Sequence, residues 1–287
     1  VTSPGPTGIA ASIALGDLLS GPRTPARVCG VSGPACYVDA DGLIVVVEGP
    51  DGAGLPNAVR VTHPARPPLQ LGIGDRVVLG GGALVAGGGE LPVHRWWDPY
   101  VRIGSSRLDA ADIAVATATL RSAATREDAD SVPPPDSSDL ARALRARDDA
   151  GVAAAGTALL GRGPGLTPAG DDILAGLLAA LRVLGPSLPA PVCDRAAMTA
   201  DALAAAVTGV AHERTTALSA QLLALADRGA VALPVADVLR AVAGRGRLVA
   251  STARLARVGH TSGSDLLVGI ALAVDIMLPA PRARAHV

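Results

Sequence analysis

The sequence predicts an α+β protein: a small N-terminal β-barrel or sandwich followed by an all-α helical domain. Two observations carry this. Short β-branched segments punctuated by glycine turns fill the first third of the chain, and leucine- and alanine-rich segments of helical period fill the rest. The switch falls once, near residue 109. It divides the 287 residues into an N-terminal extension (1–24), a β-rich domain (25–108) and a helical domain (109–287).

In the β-rich part, "YVDADGLIVVVEG" reads as two strands around a turn at Asp41–Gly42, with a stop at Gly49. "NAVRVTH" alternates apolar and polar residues. "IGDRVVLGGGALVAGGG" holds two short strands, with Gly74–Asp75 as a turn. His63 and His94 lie in this region without ligand-spaced partners and read as surface or packed side chains. From Asp109 the period becomes helical, broken by the proline-rich "SVPPPDSSD". "SSDLARALRARDDAGVAAAGTALLG" starts with a Ser/Asp cap. Further helices are predicted at about 172–184, 193–211, 213–228, 234–243, 248–257 and 265–278.

Composition narrows the function classes. A net charge of −1 and no basic cluster argue against nucleic acid or an anionic membrane as partner. The apolar runs around Ile173–Leu184 and Leu266–Leu278 are too short to span a bilayer and are interrupted by Arg182 and Asp275. The N-terminal segment has no cationic region ahead of its apolar residues, unlike a signal peptide. Cys29, Cys36 and Cys193 are too few and too scattered for a disulfide framework or a zinc knuckle, so reduced thiols and a cytoplasmic location are expected. With no Phe, two Trp and two Tyr, the core must be aliphatic.

The chemistry concentrates in "GRGPGLTPAGDDILAG", Gly161 to Gly176. Thr167 and Pro168 make a plausible helix start, with threonine as N-cap and proline at the first helical position. Asp171 and Asp172 then fall in the first turn, ahead of a segment apolar around almost its whole circumference. A helix of that kind is buried, so its N-terminus opens onto a pocket or an internal boundary. "GHTSGSDLLVG", Gly259 to Gly269, repeats the pattern. Gly165, Thr167, Gly170, Asp172, Leu174 and Gly176 match Gly259, Thr261, Gly263, Asp265, Leu267 and Gly269 if one residue is deleted between the threonine and the next glycine.

Two such segments point to a polar site built from two helix starts. Backbone N–H groups and the hydroxyls of Thr167, Thr261 and Ser262 would bind a small anion, with Gly163, Gly165, Gly170 and Gly263 letting the backbone approach. Asp171, Asp172, Asp265 and His260 are the candidate catalytic residues. Asp171 and Asp172 are the side chains for a divalent cation, the one cofactor considered. An anion beside carboxylates needs a compensating charge, and Arg162, Arg214 or His260 would supply it. The competing reading makes each loop a helix cap, its aspartates satisfying backbone N–H groups. No Walker lysine, no strand ahead of the glycines, no G-x-S-x-G elbow and no H-E-x-x-H is present.

"GRGPGLTPAGDDILAG", "RTTALSAQLL" and "GHTSGSDLLVG" together resemble the bacterial AllH (YlbF-like) family, long catalogued as a domain of unknown function. The resemblance runs from about Thr157 to Leu278; the β-rich half is similar only in layout and in its "WWDP". Ser264 stands where the family pattern has an aromatic residue. The resemblance implies a subunit of oxamate carbamoyltransferase, which moves a carbamoyl group between oxamate and phosphate in allantoin breakdown. It implies AllF/FdrA-like and AllG-like partner subunits, and carbamoyl phosphate, oxamate or phosphate as the small anionic ligand. Oxyanion donors at a helix start would suit the tetrahedral intermediate of that transfer. The alternative is a non-catalytic assembly or regulatory subunit whose motifs are structural helix caps.

Overall fold

A computed structural model describes residues 8–33, 35–61, 71–104, 110–125 and 134–277. His63, the expected helix start at Asp109 and residues 131–133 of the proline-rich break lie outside that set. The chain forms two compact units: residues 1–101 with 230–236, and residues 102–229 with 237–287.

The first unit is a closed eight-stranded barrel, which resolves the choice between barrel and sandwich. Its strands are β1 (Ile9–Ser12), β2 (Thr24–Ser32), β3 (Ala35–Ala40), β4 (Leu43–Glu48), β5 (Ala58–Val61), β6 (Arg76–Gly80), β7 (Ala83–Ala86) and β8 (Gly89–Trp97). They run β1-β5-β4-β3-β2-β6-β7-β8 around the barrel. Pairing is antiparallel except for β4 with β5 and the closing pair, β1 with β8. The expected turn at Asp41–Gly42 joins β3 to β4 with both residues at positive φ (56° and 85°), the conformation a two-residue hairpin requires. On β3, Cys36, Val38 and Ala40 alternate inward, and Val45, Val59 and Leu84 meet them in an aliphatic core.

Residues 9–20, expected as an extension, are part of this unit. They supply β1 and a short helix, α1 (Gly16–Ser20), with Leu15 and Leu19 buried in the barrel core. The strand "IAAS" is only four residues long and buried along its whole length, so it offers no alternation to detect. Residues 230–236 also belong here. Ala230 bridges Tyr100, the Val231 amide donates to the Pro99 carbonyl (3.1 Å), and the Leu233 amide reaches the carbonyls of Ala53 (3.3 Å) and Gly54 (3.2 Å). Buried Glu48 organises that loop by accepting from the amides of Gly54 (2.8 Å) and Leu55 (3.2 Å), with the Arg60 guanidinium 3.6 Å away.

The other helices are α2 (Ala110–Ala124), α3 (Ser138–Ala146), α4 (Asp149–Leu159), α5 (Ala169–Leu184), α6 (Ala190–Val207), α7 (Ala211–Arg214), α8 (Ala217–Asp227), α9 (Leu233–Val242), α10 (Leu248–Leu255) and α11 (Ser262–Ile276). Two predicted helices are each broken in two. Arg147 adopts a left-handed conformation (φ 58°) and Asp148 caps α4 through the Gly151 amide, which separates α3 from α4. Thr215 is extended and Thr216 caps α8 through the Ser219 amide (3.1 Å), which separates α7 from α8. Helix α5 is the axis of the unit. Every residue in it is buried except Arg182, which reaches Asp201 and Asp227 at 2.7 Å each. It packs on α11, α8, α6 and α4, and α11 packs in turn on α2.

Candidate functional site

The two glycine-rich segments start α5 and α11, and those helices cross through reciprocal glycines. A Cβ on Gly176 would lie 2.3 Å from the Leu266 carbonyl oxygen, and one on Gly269 would lie 2.0 Å from that of Ile173. Only glycine permits such an approach. Each glycine is four residues after its aspartate, Asp172 or Asp265, and each meets the residue that follows the other's aspartate. The crossing therefore brings the two aspartates together.

The helix starts are built alike. A Cβ on Gly170 would meet the carbonyl oxygen of Leu159, the last residue of α4, at 2.0 Å; one on Gly263 would meet that of Leu255, the last residue of α10, at 1.8 Å. The Gly170 amide donates to the Arg162 carbonyl (2.8 Å) and the Gly263 amide to the Val258 carbonyl (3.0 Å). The amides of Asp172 and Asp265 donate to the carbonyls of Pro168 (3.1 Å) and Thr261 (3.0 Å). The pair α4–α5 is thus repeated as α10–α11.

This geometry moves the sequence alignment by one residue. Pro168, not Thr167, is the N-cap residue of α5, and its counterpart is Thr261; Ala169 matches Ser262, and Asp171 matches Ser264. The length difference lies in the loop before the cap, which is longer in the first copy. Pro168 caps without a side-chain bond, leaving Thr167 free for another partner.

That partner is Ser262. The Thr167 and Ser262 hydroxyl oxygens are 2.8 Å apart, both half-buried, and join the two segments. Behind them lies Asp172, 6% exposed. Burial pushes its carboxyl well above the ordinary carboxylate range; the Ser262 and Thr167 hydroxyls oppose the shift, and the charges of Asp265 and Asp171 add to it. Its Oδ2 is buried without a hydrogen-bond partner among the described residues. Asp265 is fully buried beside it.

Asp171 has a different task. Its Oδ1 accepts from the Gly161 amide (2.7 Å) and its Oδ2 from the Thr215 hydroxyl. Burial raises its pKa, opposed by these bonds and by the Ser219 hydroxyl. The Thr216 hydroxyl donates to the Leu166 carbonyl (2.6 Å), so the break between α7 and α8 holds the loop 161–167 at two points. Gly163 adopts φ 118°, and a Cβ on it would lie 2.8 Å from the Ala169 amide nitrogen, whereas one on Gly165 (φ 95°) would meet nothing within 4 Å. Arg162, Arg214 and His260 are exposed. Thr261 is half-buried. Among the described residues, no group of three or more His, Cys, Asp or Glu is placed to hold a metal ion.

The fold and site thus define an α+β protein with a β-barrel unit and a helical unit, in which a repeated helix pair, packed through glycines in the first turn, encloses buried aspartates. Residues 159–274, spanning both glycine-rich segments, match the family model of oxamate carbamoyltransferase subunit AllH. The resemblance read from the sequence is borne out over that region, and the family is by name one of enzyme subunits. No solved structure matches the chain. Among the described residues, no helix is long and apolar enough to cross a membrane.

Proposed function

We propose that this chain is a subunit of an oxamate carbamoyltransferase-like enzyme and that the cluster at the starts of α5 and α11 binds its small ligand. The observation that carries this reading is the Thr167–Ser262 bond lying over Asp172. It joins the two segments that the family match spans, and it leaves polar, half-buried groups where helix capping needs none. Carbamoyl phosphate, oxamate and phosphate are the ligands in view. Hydroxyls backed by a buried acid suit the oxygen that gains charge as a carbamoyl carbon becomes tetrahedral.

Thermal-shift titration of the complete chain with these three compounds, with and without Mg²⁺, tests the reading. Binding to the native state raises Tm by mass action. A saturable rise is expected with at least one of them and is expected to vanish in the Thr167→Val/Ser262→Ala double variant. A rise that the double variant retains would move the site elsewhere.

Part of the geometry favours a second reading, a non-catalytic assembly or regulatory subunit. Gly170 and Gly263 are buried against helix ends, and both Asp171 oxygens are taken by protein donors, as structural caps would be. On that reading none of the three compounds shifts Tm.

A further inference from the structure

We infer that Thr215 and Thr216 clamp the loop 161–167 at its two ends, and that Thr216 is thereby a positioning residue for the Thr167 hydroxyl. The bearing of this clamp on ligand binding rests on reading the Thr167–Ser262–Asp172 cluster as a ligand site.

The break between α7 and α8 gives the clamp its geometry. Residues 213–228 carry a continuous helical period, yet Thr215 (φ −140°, ψ −175°) and Thr216 (φ −70°, ψ 152°) are extended. Successive side chains of an extended segment point to opposite sides, so the two threonines reach different ends of one loop. The Thr215 hydroxyl donates to Asp171, whose other oxygen holds the Gly161 amide (2.7 Å). Gly161 also lies on the backbone of the break, since a Cβ there would be 2.2 Å from the Arg214 carbonyl oxygen. The Thr216 hydroxyl donates to the Leu166 carbonyl (2.6 Å). Between these ends Gly163, Pro164 and Gly165 are exposed.

Thr216 does more than cap α8. A cap needs only an acceptor for a first-turn amide, and the hydroxyl gives one to Ser219 (3.1 Å). The proton it donates to Leu166 is additional, and it falls one residue before Thr167. Pro168 follows Thr167 and steers its backbone to extended conformations. Thr167 is thus held on both sides, which leaves its hydroxyl 2.8 Å from that of Ser262. Asp171, with both oxygens engaged by Gly161 and Thr215, acts with the clamp rather than on a ligand.

A double-mutant cycle in urea unfolding of the complete chain tests this without a ligand. An ionised aspartate caps a helix as threonine does but donates no hydrogen bond, so Thr216→Asp keeps the cap and releases Leu166. If the clamp sets Thr167, that release already loses the Thr167–Ser262 bond, and adding Ser262→Ala then costs less. The unfolding constant of the double variant should depart from the product of the single effects by at least about threefold. With Thr216→Ser, which keeps cap and donor, Ser262→Ala should cost as much as it does in wild type. If Thr216→Asp fails to fold, the cycle with Thr216→Val should show the same coupling, because the lost cap cancels in the difference. Additive effects would overturn the clamp.

Titration of the same variants with carbamoyl phosphate, oxamate and inorganic phosphate reads the consequence for the cluster. A probe that binds wild type should bind Thr216→Asp at least about fivefold more weakly, the loss of one hydrogen bond from a displaced hydroxyl, and Thr216→Ser within about twofold of wild type. Coupling without that weakening would overturn the role of Thr216 in binding. Coupling in a chain that binds none of the three probes would support the clamp and overturn the ligand reading.

Discussion

Asp171 and Asp172 are neighbours in sequence and have opposite environments. Consecutive helical side chains point about 100° apart, so two adjacent aspartates at a helix start do not face one ligand together. Asp171 turns to the Gly161 amide and Thr215, and Asp172 turns to Thr167 and Ser262. The difference has a measurable pH signature. The folded protein raises the pKa of Asp172 above its unfolded value, so it binds that proton more tightly than the unfolded chain does. The resulting stabilisation is complete below the ordinary carboxylate range and is lost as pH rises through the raised value. Asp172→Asn should therefore become more stable relative to wild type as pH increases across that window. Paired Tm measurements from pH 4 upward would show it, and a constant difference would count against a raised pKa. The sequence had exposed the acidic pair and its place in the first turn. It could not show which carboxylate would find donors, because Thr215 and Ser262 are distant in the chain and meet α5 only after the helices pack.

Among the secondary-structure elements, the decisive contact is the crossing of α5 and α11. Gly176 and Gly269 are mid-helix glycines, each of which costs about 1 kcal/mol of intrinsic helix propensity relative to alanine. Here each removes a clash with the opposing backbone. Gly269→Ala should thus destabilise the chain by about 1–3 kcal/mol despite its better helix propensity. Urea unfolding would measure this, and a stabilised variant would refute the close crossing. Because Gly176 and Gly269 serve the same contact, the double variant should cost less than the sum of the single ones, since either methyl alone already pushes the helices apart. The repeat of glycine and aspartate was visible in the sequence, but its register was not. Thr167 and Thr261 look equivalent as letters, whereas hydrogen bonding pairs Thr261 with Pro168. The breaks at Arg147 and Thr215 were hidden for a related reason. Each falls inside a continuous helical period and is made by one residue's backbone conformation or one threonine cap.

For the molecule as a whole, the division into a strand-rich and a helix-rich part was legible from the change of period. The boundaries were not, because the barrel unit is discontinuous in sequence. Residues 230–236 lie among predicted helices, yet they bond to Pro99, Ala53 and Gly54. A fragment ending at residue 104 should therefore keep its strands but lose order in the loop that Glu48 organises. Its Gly54 and Leu55 amides should exchange with solvent at least about tenfold faster than in the complete chain. Equal exchange rates would show that the late segment adds nothing to the barrel.

The same discontinuity sets a clock on biosynthesis. All eight strands leave the ribosome well before residues 230–236 have been polymerised, an interval on the order of ten seconds at ordinary elongation rates. Throughout that time the carbonyls of Ala53, Gly54 and Pro99 lack the amides that will later cover them. The barrel strands are made before the helical half, and the barrel waits on that half to be finished.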